Sequence, residues 1–325
     1  LSKLFHLTEN ITFRQNATQT FRDVLEGIVY QQKAQINFVD YKLLVSDIDH
    51  PVMIQMASVV LPSKYIYKAK FIEKVILNKF SSHEEISEIY LNEISQNKIK
   101  IVLIPHVNWI NGAKFDVNAI CNKIKKYNEK IITIVDGTQA LANTETIIDN
   151  TKSNQDIDFY IGSGHKWMGS PMPIGFVRVT EKYLAIKSFR DYLFISDYFS
   201  KFAGNLKYID KLAQDTYNIP LAILFNSILG ELQGSNNEMQ QHYYSNVIDN
   251  LEPIRAILNS HKSLKILDTD PKMRTGIIAF TGDVIKLSKV HQALMDNYFN
   301  IAKGQFDYNG KNIPFIRISS PVNSI

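Results

Sequence analysis

The stretch Ile131-Ile132-Thr133-Ile134-Val135-Asp136-Gly137-Thr138-Gln139 constrains this chain most. Its β-branched run offers no polar face, so it predicts a strand buried on both sides, as in a parallel sheet covered by helices. Ile101-Val102-Leu103-Ile104 repeats the pattern, and the segments Glu84 to Gln96 and Asp116 to Tyr127 carry apolar residues at helical spacing. Strand and helix alternating in this way predict an α/β sheet. A carboxylate at the tip of such a strand is costly unless it meets a cation, which singles out Asp136.

A second apolar strand, Ile157 to Ile161, runs through Gly162-Ser163-Gly164 into His165-Lys166-Trp167-Met168-Gly169. A lysine just past a buried strand stands at the mouth of the sheet, where α/β proteins bind ligands. Partial burial lowers a lysine's pKa and makes its amine nucleophilic, the state needed to form a Schiff base with an aldehyde. Pyridoxal 5'-phosphate joins both demands: an aldehyde for Lys166 and a cationic ring nitrogen for Asp136.

Val135-Asp136-Gly137-x-Gln139, followed by Ser163-Gly164-His165-Lys166-Trp167-x-Gly169, resembles the signature of class V pyridoxal-phosphate enzymes. That family includes cysteine desulfurases, isopenicillin N epimerase-like proteins and related aminotransferases and lyases. The resemblance covers nearly the whole chain. It implies an α/β fold of type I, with a mostly parallel seven-stranded sheet sandwiched by helices in a large domain over residues 1–235. A linker helix and a small α+β domain would occupy residues 236–325. Relative to the family, the chain lacks a segment before the first strand and stops soon after the last one.

The same resemblance implies roles for other residues. Ala17-Thr18-Gln19, opening a helix, matches the turn that holds the cofactor phosphate, where helix N–H groups and dipole favour an anion. His50 would lie over the cofactor ring, while Asp47 and Asp49 read as solvated loop charges. Gln139 would reach the phenolate oxygen, and Ser163 and His165 would border the cofactor. Thr216 would reach the phosphate of a partner subunit in a homodimer, although Asp215 stands where the family has glycine. Arg317, inside an apolar strand, would hold the substrate carboxylate by a bidentate fork. At Asn108-Trp109 the chain departs: Trp109 takes the position of the family's asparagine.

Composition narrows the class further. The chain has 325 residues, 45% of them hydrophobic, and a net charge of +4 with no basic block interleaved with aromatics. Nucleic acid is therefore not an expected partner. The apolar runs are too short for a bilayer, and the single cysteine, Cys121, points to a reducing cytoplasm. Helical spacing places Cys121 on an apolar face. Gly162-Ser163-Gly164 lacks the third glycine of a dinucleotide fingerprint, and no zinc-ligand spacing occurs.

Residues Ile301 to Gly310 read as the loop where a cysteine desulfurase carries its thiol, and they contain no cysteine. The expectation is an enzyme acting on an amino acid or related amine, of aminotransferase or C–S lyase type. Epimerase chemistry and a non-catalytic scaffold are the alternatives. Lys166, Asp136 and His50 would carry the chemistry. Met239 to Leu258 reads as one long helix bridging the domains.

Overall fold

The computed structural model describes residues 11–33, 41–77, 82–144, 156–184, 227, 246–296 and 301–320. Its larger sheet contains β1 (Ile11–Arg14), β2 (Leu43–Ser46), β3 (Ile66–Ala69), β4 (Ile101–Pro105), β5 (Ile132–Asp136), β6 (Phe159–Ser163) and β7 (Gly175–Val179). The spatial order is β1-β7-β6-β5-β4-β2-β3. From β3 to β6 the pairings are parallel; β7 runs against β6, and β1 against β7. Every residue of β4, β5, β6 and β7 is buried, as their largely apolar character requires.

The alternation of side chains along each strand divides the core in two. On one face, Ile132, Ile134, Phe159 and Ile161 pack with Phe21, Leu25 and Ile28 of α1 (Ala17–Lys33) and Met53 and Ala57 of α2 (Pro51–Val60). On the other, Val135 and Tyr160 join Ile86, Tyr90 and Ile94 of α3 (His83–Asn97) and Ile120, Cys121 and Ile124 of α4 (Val117–Tyr127). Cys121 is fully buried there, as its spacing foretold. After β7 comes the short α5 (Glu181–Leu184).

A smaller sheet follows, made of β8 (Leu264–Ile266), β9 (Ile277–Gly282), β10 (Ile301–Tyr308) and β11 (Lys311–Ser319), all antiparallel in the order β10-β11-β9-β8. Leu258 of α6 (Glu252–Ser260) and Leu287 of α7 (Val284–Asp296) cover one face. Ala279, Phe306 and Phe315 join the core of the larger sheet on the other. The two sheets thus share apolar packing. The expected boundary at residues 235 and 236 lies outside the described residues.

Three readings are corrected. The segment Ile301 to Gly310 is not a loop: β10 pairs with β11 through an Asn309-Gly310 turn in which both residues have positive φ, 53° and 74°. Asn-Gly between two alternating runs is a strong hairpin signal. The long helix from 239 to 258 is broken, because α6 starts afresh at Glu252 with Pro253 in its first turn, where a missing N–H is tolerated. Asp47 and Asp49 are not solvated. Asp47 Oδ1 accepts from the backbone N–H groups of Phe71 and Ile72 at 2.7 and 3.1 Å. Asp49 is buried, accepts from the Ser46 N–H at 2.6 Å, and has its carboxyl pushed up to about 8 by that burial.

Candidate active site

The C-terminal edge of the larger sheet opens into a cleft of about 280 Å³. Ala17, Thr18, His50, Asp136, Gln139, His165 and Lys166 all line it. Residues from four separate stretches of the sequence therefore meet where the parallel strands end.

Asp136 is the last residue of β5. Its Oδ1 accepts from the Thr138 N–H at 2.9 Å and from the Thr138 hydroxyl, an Asx-type turn that holds one oxygen in place. The loop after β6 is tied to this turn by Trp167, whose indole N–H donates to Gln139 Oε1 at 2.8 Å. The Gln139 amide nitrogen is thereby directed to donate, which suits a phenolate oxygen. Gly164 N–H donates to Ile174 O, and Ser170 N–H to Gly164 O, at 2.9 and 3.0 Å, closing the loop that carries Lys166.

Lys166 makes no hydrogen bond or ion pair among the described residues. It keeps accessible surface on the cleft wall, yet enough protein surrounds its amine to lower its pKa below the ordinary lysine value. Burial is the main cause and Arg317 adds to it, against the pull of Asp136. A small molecule can therefore reach an amine whose pKa the surrounding protein lowers, which is the condition for a nucleophilic lysine.

His50 serves as the N-cap of α2, its Nδ1 accepting from the Val52 N–H at 3.3 Å, with Pro51 following. This places the donor on its other nitrogen. Burial lowers its pKa, with Lys166 and Arg317 acting in the same sense and Asp136 opposing, so the ring is neutral at pH 7. His165 is lowered likewise, chiefly by burial, and its Nδ1 lies 2.8 Å from the buried Ser163 hydroxyl. Ser163 belongs to β6 and orients His165; it is not itself on the described cleft wall.

The start of α1 is pressed against β7. A Cβ on Gly175 would come within 2.2 Å of the Asn16 carbonyl carbon, so only glycine admits this approach. Asn16 Oδ1 accepts from the Gln19 N–H at 2.8 Å, which caps the helix. Gln19 turns away to Asp23 at 2.6 Å. Ala17 and Thr18 are left facing the cleft with N–H groups that no helical carbonyl can satisfy.

Arg317 is placed differently. It sits inside β11, opposite Ala302 and Ala279, and is not on the described cleft wall. Its Nη1 donates to the main-chain oxygen of Trp109 at 2.9 Å, and its buried Nε has no partner among the described residues. Its influence on Lys166 and His50 places it close by. Thr216 lies outside the described residues.

Sequence reasoning left Asn108 and Trp109 without roles. Asn108 builds a turn, its Oδ1 accepting from the N–H groups of Ile110 and Asn111 at 2.7 and 3.2 Å. Trp109 lines the cleft, 5.0 Å from the His50 ring. The donor set as a whole suits pyridoxal 5'-phosphate. An amine without a partner would meet the aldehyde, a carboxylate the ring nitrogen, and a helix start the phosphate.

Comparison with known proteins agrees. The family model described as Aminotransferase class-V matches residues 2–305. A provisionally named cysteine desulfurase of Plasmodium berghei (strain Anka) is 30% identical over 182 residues, covering 53% of this chain and 33% of that protein. The isopenicillin N epimerase of Amycolatopsis lactamdurans is 27% identical over 84 residues, 26% of this chain and 20% of that protein. The matches thus span a third or less of these relatives' lengths. Among solved structures, C-DES with glycine covalently linked to its PLP cofactor superposes with a TM-score of 0.77 at 16% identity. That match covers 99% of this chain and 79% of the other.

Proposed function

This chain belongs to the class V aminotransferase family, whose cofactor is pyridoxal 5'-phosphate, and from that premise we propose an enzyme acting on an amino acid or related amine. The reaction type we assign is transamination or C–S lysis. The observation that carries this reading is that Lys166 and Asp136 line one cleft without pairing to each other. A lysine and an aspartate close enough to influence one another, yet left apart, have room between them for a third group.

When bound, pyridoxal 5'-phosphate supplies an aldehyde that condenses with amines and a cationic ring that withdraws electrons. Asp136 would keep the ring nitrogen protonated, Ala17 and Thr18 would donate to the phosphate, and Gln139 would donate to the phenolic oxygen. His50, neutral and capping α2, would bound the ring face. Lys166 would first hold the aldehyde carbon, then take and return the proton at the substrate's α-carbon, for which its lowered pKa suits it. Arg317 would hold the substrate carboxylate through the donors that Trp109 leaves free.

C–S lysis is supported by a second C-DES structure, that of the cystine C–S lyase with its product cysteine persulfide, which superposes at a TM-score of 0.77. Persulfide transfer of the desulfurase kind is disfavoured. Cys121 is the one cysteine, it is fully buried, and burial pushes its thiol far above the ordinary range. The stretch similar to isopenicillin N epimerase supports epimerisation as the second reading. A homodimer, with Thr216 reaching the partner's phosphate, completes the proposal.

Purified protein incubated with the cofactor should absorb in the visible, bleach with borohydride and carry the label on Lys166; Lys166→Ala should do none of these. A colourless protein that stays unlabelled would leave the scaffold reading. Amino acids that shift the absorbance, scored for keto acid, sulfide and loss of chirality, would then identify the reaction.

A further inference from the structure

We infer that Trp109 limits the substrate to an amino acid with a short side chain, making it the specificity-determining residue of this cleft. The inference rests on the function proposed above and assigns its substrate class.

Trp109 is the bulkiest side chain on the cleft wall. It is not free to swing aside. One neighbour is the His50 ring at 5.0 Å; the other is Phe315 of β11 at 5.6 Å, edge-on, with Phe306 a further 6.0 Å behind. The indole is therefore wedged between the cap of α2 and the smaller sheet. A ring packed on both sides forms a fixed wall, since moving it would open a void behind it.

The main chain of the same residue adds a second observation. Arg317 Nη1 donates to the Trp109 carbonyl at 2.9 Å, so the guanidinium is anchored to the residue that carries the indole. An amino acid whose carboxylate is bound by Arg317 is thereby held beside the indole. Alanine-, serine- or cysteine-sized side chains fit such an arrangement, whereas long or aromatic ones meet the wall.

Because the bond to Arg317 uses the backbone oxygen, truncating the side chain leaves the carboxylate anchor in place. The holoenzyme and its Trp109→Ala and Trp109→Leu variants are titrated with alanine, cysteine, norleucine and phenylalanine, and dissociation constants are read from the shift in cofactor absorbance. Wild type should bind the short amino acids at least about tenfold more tightly than the long ones, the discrimination a single methylene can already command. Each truncation should shrink that ratio by about tenfold or more, mainly through tighter binding of norleucine and phenylalanine, with alanine little changed. A ratio that stays within about twofold of wild type in both variants would overturn the inference. So would a wild type that labels at Lys166 with borohydride yet prefers phenylalanine. If wild type fails to label at all, the proposed function falls first and this inference with it.

Discussion

Two lysine–aspartate pairs sit at opposite ends of the same strands, and they are built for different purposes. At the start of β6, Asp158 meets Lys125 of α4 in a closed ion pair, with side-chain exposures of 2% and 9%. Asp158 also accepts from the Thr133 N–H at 2.9 Å, so its charge is spent within the fold. At the far end, Asp136 and Lys166 influence one another but make no ion pair. The first pair is satisfied by the protein; the second is left to be satisfied by something bound. Residue type is alike, but the Lys125 amine is closed off within the fold while Lys166 stays open to the cleft, and that difference in exposure and pairing separates a structural pair from a chemical one.

The sharpest way to break the comparison is to truncate each lysine. Lys166→Ala should abolish borohydride labelling while leaving the urea midpoint unchanged or higher, because the lysine makes no hydrogen bond or ion pair among the described residues whose loss would be felt. Asp136→Asn should keep its turn through Thr138 but lose the charge facing the ring. Turnover should drop by about 10²- to 10³-fold, the scale of removing one preorganised electrostatic contact. Lys125→Ala should do the opposite of both, costing about 3 kcal/mol in urea unfolding by stranding a buried carboxylate, with labelling intact. A catalytic loss in Lys125→Ala at full stability would end the distinction.

Smaller effects sharpen it. Arg317→Gln should raise KM for the amino acid by about 30-fold, or roughly 2 kcal/mol, the worth of hydrogen bonds to a charged group, with cofactor affinity unaltered. The smallest effect concerns pH. His106 is buried, its Nδ1 lies 2.9 Å from the Tyr160 hydroxyl, and its pKa is lowered to about 3. Unfolded, it takes up a proton near pH 6.5; folded, it does not until far lower. Its contribution is therefore present above pH 6.5 and lost as pH falls. Between pH 7.5 and 5.5 the loss is about 1.4 kcal/mol. His106→Gln should flatten that part of the urea-derived stability profile by the same amount.

Much of the cleft was legible in the chain itself. Asp136, Gln139 and Lys166 follow strands whose unbroken apolar character announces burial, so their positions at the sheet edge follow from local pattern. Ala17 and Thr18 were legible as a helix start. What escaped was nonlocal or hidden by a false cue. Asp47 and Asp49 looked solvated because they are charges in a loop; the partners of Asp47 lie 24 and 25 residues away, on backbone that only folding brings near, and Asp49, though bonded to nearby Ser46, is buried by the fold around it. Residues 301 to 310 looked like a loop until the Asn309-Gly310 turn was seen to pair them with β11.

The linear order of residues determined the double-faced strands, the helices that cover them, and an acid and an amine at two strand ends. Apolar burial is a property of each segment and needs no partner to be read. The tertiary structure alone decided that these ends open on one cleft, that Lys125 closes on Asp158 while Lys166 stays unpaired, and that Trp109 links His50 to Arg317. Those outcomes depend on distances between segments as much as 208 residues apart, which no local pattern encodes.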